Sequence, residues 1–366
     1  MVCRVACRQI RTSLFICASL SMETLTRSDP IRAGRVAAWV FMLLTTLFAL
    51  WALGPRPSFV ESWEEPELPE DLDTWLADRE AGVAGLRDGD GRGIVWADPE
   101  VRGRTDVSIV YLHGFSADRH EVEPVISELG AELKANVFFA RLAGHGRDGP
   151  AMAEATVEAW LSDAAEAIAV ASRIGRRIVL IGTSTGGTLA VWTAARPEVQ
   201  DRLAAMILVS PNFQPKDRNS RIFLQPWGEQ IASLVVGSER CWEPLSEAQQ
   251  RHWTTCYPMS AVTPMMALVE RVRTMDLSSI TTPTLAVYSP ADEVVDGTET
   301  SARLATMTSA SIRTVDVPST TDPSYHVLAG DIVSPESTDD VRRLMAEFLR
   351  EQLAETVAVP GAPPDA

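Results

Sequence analysis

One stretch constrains this chain more than any other: Arg177-Ile178-Val179-Leu180-Ile181-Gly182-Thr183-Ser184-Thr185-Gly186-Gly187-Thr188-Leu189-Ala190. An apolar, β-branched run enters Gly-x-Ser-x-Gly, and a helix-permissive segment follows at once. That spells a buried strand, a sharp turn with Ser184 at its tip, and a helix. Such a turn strains the serine backbone, so the side chains two residues to either side must be nearly absent, a condition met by Gly182 and Gly186. The hydroxyl is then held clear of the sheet, while the first turn of the helix aims backbone N–H groups at negative charge forming beside it. A plain glycine turn between a strand and a helix has the same signature. The rest of the chain must tell a nucleophile from punctuation.

That remainder alternates. Strand-like runs fall at 93–97, 107–112, 137–140, 178–181, 205–209, 284–288 and 311–317. Between them lie helical patterns at 119–134, with Val122, Val125, Ile126, Leu129 and Leu133 on one face, at 157–174, and finally at 339–353. Strands separated by helices imply an α/β protein with a mainly parallel sheet covered on both faces. The rhythm breaks between Ser210 and Thr284, where about seventy residues hold no strand-like run. They carry Trp227, Trp242, Trp253, Tyr257, Met259, Met265 and Met266. We expect an inserted helical cap at about 212–282, over a pocket at the carboxyl ends of the strands. A helical subdomain with its own small core is compatible with that reading.

Composition narrows the function classes. Of 366 residues, 46% are hydrophobic and 22% charged, as in ordinary globular chains. A formal net charge of −16 excludes a nucleic-acid partner, because nothing would neutralise the phosphates. No Cys-x-x-Cys pair or Cys/His zinc spacing occurs, so no metal is expected. No phosphate-cradling Gly-x-x-x-x-Gly-Lys or dinucleotide Gly-x-Gly-x-x-Gly follows a strand, and no cofactor is implied. Cys3, Cys7 and Cys17 lie near the N-terminus, while Cys241 and Cys256 lie mid-chain. The latter two are either a disulfide, given an oxidising compartment, or two buried thiols.

Residues 1–35 form a basic segment with Arg4, Arg8, Arg11, Arg27, Arg32 and Arg35, expected to be disordered, and Met22 is an alternative start. Residues 36–53 carry no charge, hold Trp39 and Trp51 near their ends, and stop at Gly54-Pro55. This suits a transmembrane anchor over 36–54, with a cleaved signal peptide and a buried globular helix as rivals. Arginines precede it and Glu61, Glu64, Glu65, Glu67, Glu70, Asp71 and Asp73 follow. The positive-inside rule then leaves the N-terminus in the cytoplasm and the rest outside. Residues 55–80 read as an acidic linker that turns helical near 72–76, 81–354 as the globular domain and 355–366 as a disordered tail.

Four motifs now carry a likeness. Tyr111-Leu112-His113-Gly114-Phe115, Leu142-Ala143-Gly144-His145-Gly146, Gly182–Gly186, and Ser289-Pro290-Ala291-Asp292-Glu293 with Tyr325-His326-Val327 follow expected strands in order. Over most of 90–353 the chain resembles an α/β-hydrolase, and within that superfamily it is similar to the monoacylglycerol-lipase, carboxylesterase and lysophospholipase-like group. Ser184 needs a base to be a nucleophile at neutral pH, and the fold's order is Ser, acid, His. His326 is the one histidine beyond Asp292. The resemblance makes Asp292 the acid, with Asp296 and Asp322 as competitors. It also implies backbone N–H groups of Phe115 and Thr185 as the oxyanion hole. His113 and His145 are expected to be structural, and His120 and His252 carry no signal. Thr183 departs from the commonest elbow. With Ser184 at the elbow, nucleophilic-Asp relatives such as dehalogenases are disfavoured.

The expected function is hydrolysis of carboxylic esters through an acyl-enzyme, with apolar acyl groups suggested by the Trp- and Met-rich insertion. The alternatives are amides or thioesters cleaved by the same groups, or a catalytically silent, membrane-tethered binding protein. The partners implied are a small ester substrate and a membrane. Composition does not fix an oligomeric state.

Overall fold

The computed structural model describes residues 30–357, so the basic segment before residue 30 and the tail after 357 lie outside the described residues. Two units result, 1–55 and 56–366.

The described part of the first unit is one helix, Pro30–Ala52, so residues 30–35 of the segment expected to be disordered are helical. Within it Gly34–Ala52 has a mean hydropathy of 1.7 and is nowhere buried. At about 1.5 Å per residue these 19 residues span roughly 28 Å, close to a bilayer's hydrocarbon thickness. The hydroxyls of its two threonines are satisfied by their own helix, Thr45 by Phe41 O at 3.0 Å and Thr46 by Met42 O at 2.8 Å. A polar group so bonded can sit in an apolar medium.

The second unit is built on a seven-stranded sheet. Its strands are β1 (Gly93–Val95), β2 (Thr105–Leu112), β3 (Asn136–Phe139), β4 (Gly175–Thr183), β5 (Leu203–Val209), then, after a separate hairpin, β8 (Thr284–Tyr288) and β9 (Ile312–Asp316). Their order is β1-β3-β2-β4-β5-β8-β9, and only β1 runs antiparallel to its neighbour. Alternate residues divide the core into two layers. Val110, Leu112, Phe138, Leu180, Met206 and Leu208 face the helices Val157–Ile174 and Thr185–Ala194. Ile109, Tyr111, Val137, Phe139, Val179, Ile181 and Ile207 face Val125–Leu133 and Pro335–Val357. Burial on both faces explains why the inner strands β2, β3, β4, β5 and β8 read as continuous apolar runs.

In this unit the structure departs from the sequence reading in four places. The helix expected over 119–134 is a 3-10 turn, Arg119–Val122, followed by a helix, Val125–Leu133. Pro124 forces the break by holding Glu123 extended, at φ −68° and ψ 141°. The last helix spans Pro335–Val357 rather than 339–353, so residues 355–357 of the expected disordered tail are helical. The interval after β5 contains an antiparallel hairpin, β6 (Glu239–Cys241) with β7 (Cys256–Pro258), beside the helices Gly228–Val236, Glu247–His252 and Val262–Thr274. Cys241 and Cys256 are register partners in that hairpin and form a disulfide. Tyr257, Met259, Met265, Met266 and Leu268 join the main core, while Trp253 and Trp242 pack with Ala117, Val327 and Val333 in a smaller cluster.

The fourth departure concerns 56–80, whose acidity suggested a solvated linker. Instead Phe59, Trp63 and Leu68 pack on the core. Glu61 accepts from Trp192 Nε1 at 3.2 Å and pairs with Arg196 at 2.7 Å and Arg271 at 3.1 Å, while Glu65 pairs with Arg202. The helix Leu72–Ala81 is likewise fixed by a buried ion network. Arg92 meets Glu80 at 2.7 Å and also pairs with Glu166, and Arg141 meets Glu80 at 2.7 Å. Removing Arg92 takes one of two arginines from each of Glu80 and Glu166, which keep Arg141 and Arg79, so the loss should stay below the roughly 3–5 kcal/mol of a fully stranded buried charge. Arg92→Met is expected to lower the urea midpoint accordingly, and an unchanged midpoint would show that the network is energetically idle.

Candidate active site

β4 delivers Ser184 to its turn with φ 51° and ψ −117°, the strained backbone that the glycine spacing implied. Its N–H is held by Val209 O at 2.9 Å. The two glycines are needed because the helix Thr185–Ala194 lies against neighbouring backbone. A Cβ at Gly186 would fall 2.1 Å from Leu112 O, and one at Gly182 would fall 2.4 Å from Gly186 O.

Three side chains from three strand ends meet here. His326 Nε2 is 3.0 Å from Ser184 Oγ, and His326 Nδ1 is 2.8 Å from Asp292 Oδ2. All three residues are buried. The other Asp292 oxygen accepts the N–H groups of Val294 at 2.7 Å and Val295 at 2.9 Å, which fixes the carboxylate in the turn after β8. With Asp292 accepting at Nδ1, the imidazole carries its proton there and turns a lone pair toward Ser184. Burial disfavours the charged imidazole, but the Asp292 carboxylate, backed by Glu121 and Asp322, outweighs it and holds His326 above its ordinary value.

The two competing acids have other work. Asp322 accepts the backbone N–H groups of His326 at 3.0 Å and Val327 at 2.8 Å, so it shapes the loop that carries the imidazole. Asp296 caps the helix Gly297–Leu304 and pairs with Arg218. Ser210 Oγ donates to His326 O at 2.7 Å, tying that loop to the end of β5.

Phe115 follows β2 and Thr185 opens the elbow helix. Neither backbone N–H donates to a protein acceptor among the described residues. Phe115 packs edge-on against Tyr257 at 5.3 Å and His145 at 5.7 Å. His113 accepts from Leu142 N–H at Nε2, 3.1 Å, and its Nδ1 lies 2.9 Å from Gly114 O. It joins the loop after β2 to the loop after β3. Burial pushes it down to about 4, so it is neutral. His145, beside it at 4.9 Å, is likewise pushed well below its ordinary value by burial and bonds Ala143 O through Nδ1. Both are placed structurally, away from Ser184's bonded partners.

Sequence reasoning missed Glu121. It is buried behind the site, accepting Gly114 N–H at 2.8 Å and the Tyr111 hydroxyl at 2.9 Å, while that hydroxyl lies 3.0 Å from Thr183 Oγ1. The network connects the loop bearing Phe115 to the residue before Ser184. An acidic residue inside a predicted amphipathic helix gave no signal, because such residues normally face water. A Cβ at Gly114 would lie 2.6 Å from Glu121 Oε1, which is the purpose of that glycine.

The fold and this constellation define an α/β-hydrolase. A family model described as serine aminopeptidase, S33 (Hydrolase_4), matches residues 103–328, and the chain belongs to that family. It is 29% identical over 98 residues to a thermostable monoacylglycerol lipase of Bacillus sp. (strain H-257), a match spanning 27% of this chain and only 39% of that relative's length. Among solved structures it is similar to one reported for the metagenome-derived lipolytic enzymes LipS and LipT, with a TM-score of 0.58 and 17% identity over 73% of this chain and 99% of that one. A soluble variant of the Saccharomyces cerevisiae monoglyceride lipase matches with a TM-score of 0.55 and 13% identity, over 82% and 99% of the two chains. At these identities the structures support the fold alone.

Burial is the chief cause that raises the Glu121 carboxyl to about 7, against the two donors that favour its charged form. A carboxyl at about 7 when folded and about 4.5 when exposed binds its proton more tightly in the folded chain. Folding therefore loses stability as pH climbs between those values, on the order of 3 kcal/mol in all. Glu121→Gln keeps an acceptor for Gly114 N–H without the charge. Its stability in urea should gain on wild type as pH rises from about 5 to about 8; a constant difference would contradict the assignment.

Proposed function

We propose that this protein is a serine hydrolase that cleaves carboxylic esters of apolar acyl groups through an acyl-enzyme. The observation that carries the reading is the unbroken hydrogen-bonded line from Ser184 Oγ through His326 to Asp292. Ser184 Oγ attacks the ester carbonyl while His326 Nε2 takes its proton, and Asp292 stabilises the imidazolium. The carbonyl oxygen becomes an oxyanion held by Phe115 and Thr185 N–H groups. Collapse breaks the bond to the alcohol, which leaves with the proton from His326. Water, deprotonated by His326, then attacks the acyl-Ser184 carbonyl and releases the acid.

The interval 211–283 supports an apolar acyl group. It brings Tyr257 against Phe115, and Met265 Sδ lies 3.4 Å from Asn212 Nδ2, just beyond the elbow. We read this interval as a cap over the acyl site. The family description names an aminopeptidase, so amide cleavage by the same residues is the second reading.

Fluorophosphonate should modify wild-type protein and leave Ser184→Ala unmodified. His326→Ala should cut p-nitrophenyl ester turnover by at least about a thousandfold, within the range known for triad members. Full activity in His326→Ala would refute the assignment of the base. Faster turnover of amino-acid p-nitroanilides than of p-nitrophenyl esters from acetate to palmitate would favour the peptidase reading.

We further propose that the helix Pro30–Ala52 anchors the protein with the N-terminus cytoplasmic and the hydrolase domain outside. Arginines before the helix and acids after it support this orientation. The protein should stay in the membrane fraction after alkaline carbonate washing, and a C-terminal reporter active only in oxidising compartments should give signal. A silent reporter beside an abundant membrane-bound product would reverse the orientation.

A further inference from the structure

Four side chains from distant parts of the chain converge beside the loop that carries Phe115. Asp90 comes from the segment before β1, Asp118 and His120 from the loop after β2, and His252 from the end of the helix Glu247–His252. One ligand-type atom from each lies within 4.8 Å of all the others. We propose that these four residues bind a divalent cation with the ligand preference of zinc, and that the ion pins the inserted interval to the Phe115 loop.

The spacing fits. Ligands at about 2.0–2.1 Å from a tetrahedral zinc stand roughly 3.3 Å from one another. Here His252 Nδ1 is 2.9 Å from Asp90 Oδ1 and 3.2 Å from Asp118 Oδ2, while His120 Nδ1 is 2.9 Å from Asp118 Oδ1 and 3.6 Å from Asp90 Oδ1. Both imidazoles turn the same nitrogen inward, and their rings stack with centroids 4.0 Å apart. A proton on His252 Nδ1 satisfies only one of the two carboxylates it faces, and two protonated rings in such a stack would repel. A single cation answers all four groups at once. The donor set, two nitrogens and two carboxylates, suits zinc better than calcium or magnesium, which favour oxygen.

The surroundings are those of a held site. Asp90 and Asp118 are buried to within 1%. Arg87 Nε binds the outer Asp90 oxygen at 2.6 Å, leaving Oδ1 to point inward, and Arg87 also donates to Arg147 O at 3.0 Å. Asp118 Oδ1 is steadied by the His120 N–H at 2.8 Å. Such outer partners orient ligands in metal sites. Next to the cluster Thr254 N–H donates to Ser116 O at 2.8 Å, so the same region of the interval already grips the residue after Phe115. An ion there would stiffen the placement of one oxyanion donor without touching the reacting atoms.

The test uses the full chain, tag-free and in detergent, stripped with a chelator and then titrated with ZnCl2. One equivalent should bind and raise the melting temperature, and Co2+ in place of zinc should give the intense visible bands of a tetrahedral site. His120→Gln, His252→Gln and the double variant should each bind zinc at least tenfold more weakly, with metal-free melting curves as cooperative as the stripped wild type. Should a histidine variant fail to fold, the wild-type titration and the cobalt spectrum still decide. No zinc uptake by the stripped wild type, weak octahedral-type cobalt bands, or undiminished binding by the folded double variant would each overturn the proposal.

Discussion

The arrangement depends on how closely the backbone at Gly186 approaches the end of β2. With no room for even a methyl group against Leu112 O and His113 O, the elbow helix sits directly on the strand that leads to Phe115. Ser184 and Phe115 therefore take fixed places relative to each other before any side chain contributes. Interiors packed at this density do not deform gradually, so the approach works as a mechanical stop. The neighbouring parallel strands β5 and β8 then carry their own loops to the same edge, which is where ligands bind in sheets of this kind.

Behind that stop lies a polar layer in an otherwise apolar interior. Tyr111, Glu121, Thr183 and Gly114 N–H hydrogen-bond one another directly. A buried carboxyl is costly, yet here it anchors the loop that carries Phe115. The charge also bears on His326, since Glu121 is among the groups that raise its proton affinity. Structure and electrostatics are thus joined in one residue that does not contact the serine.

Much of this was legible in the residues. Apolar runs buried on both faces are unambiguous, and the inner strands of the sheet fall where those runs do. Gly182 and Gly186 announced the strained serine, and the order Ser184, Asp292, His326 announced the line of hydrogen bonds. What escaped has physical reasons. The hairpin β6–β7 is short and exposed at Cys241 and Cys256, so it has no apolar alternation to betray it. Residues 56–80 have the composition of a solvated tether, but Trp63 and Glu61 find partners, Trp192 and Arg196, some 130 positions away. Pro124 ended a helix that periodicity alone would have carried through. Asp90, Asp118, His120 and His252 have no spacing signature at all, because three separate segments bring them together.

The disulfide between Cys241 and Cys256 encloses the helix Glu247–His252. Closing a loop of that size restricts the unfolded chain by about 3 kcal/mol on an entropic model. The arm that presents His252 is thus most firmly formed only after the chain has met an oxidant. Cys3, Cys7 and Cys17 precede the apolar helix, whereas Cys241 and Cys256 follow it. With the proposed orientation, one polypeptide would keep thiols on the reducing side and spend its other two cysteines on a cross-link across the membrane. Maturation of the Phe115 neighbourhood would then be coupled to export, and a chain retained in the cytoplasm would carry a looser version of the same site.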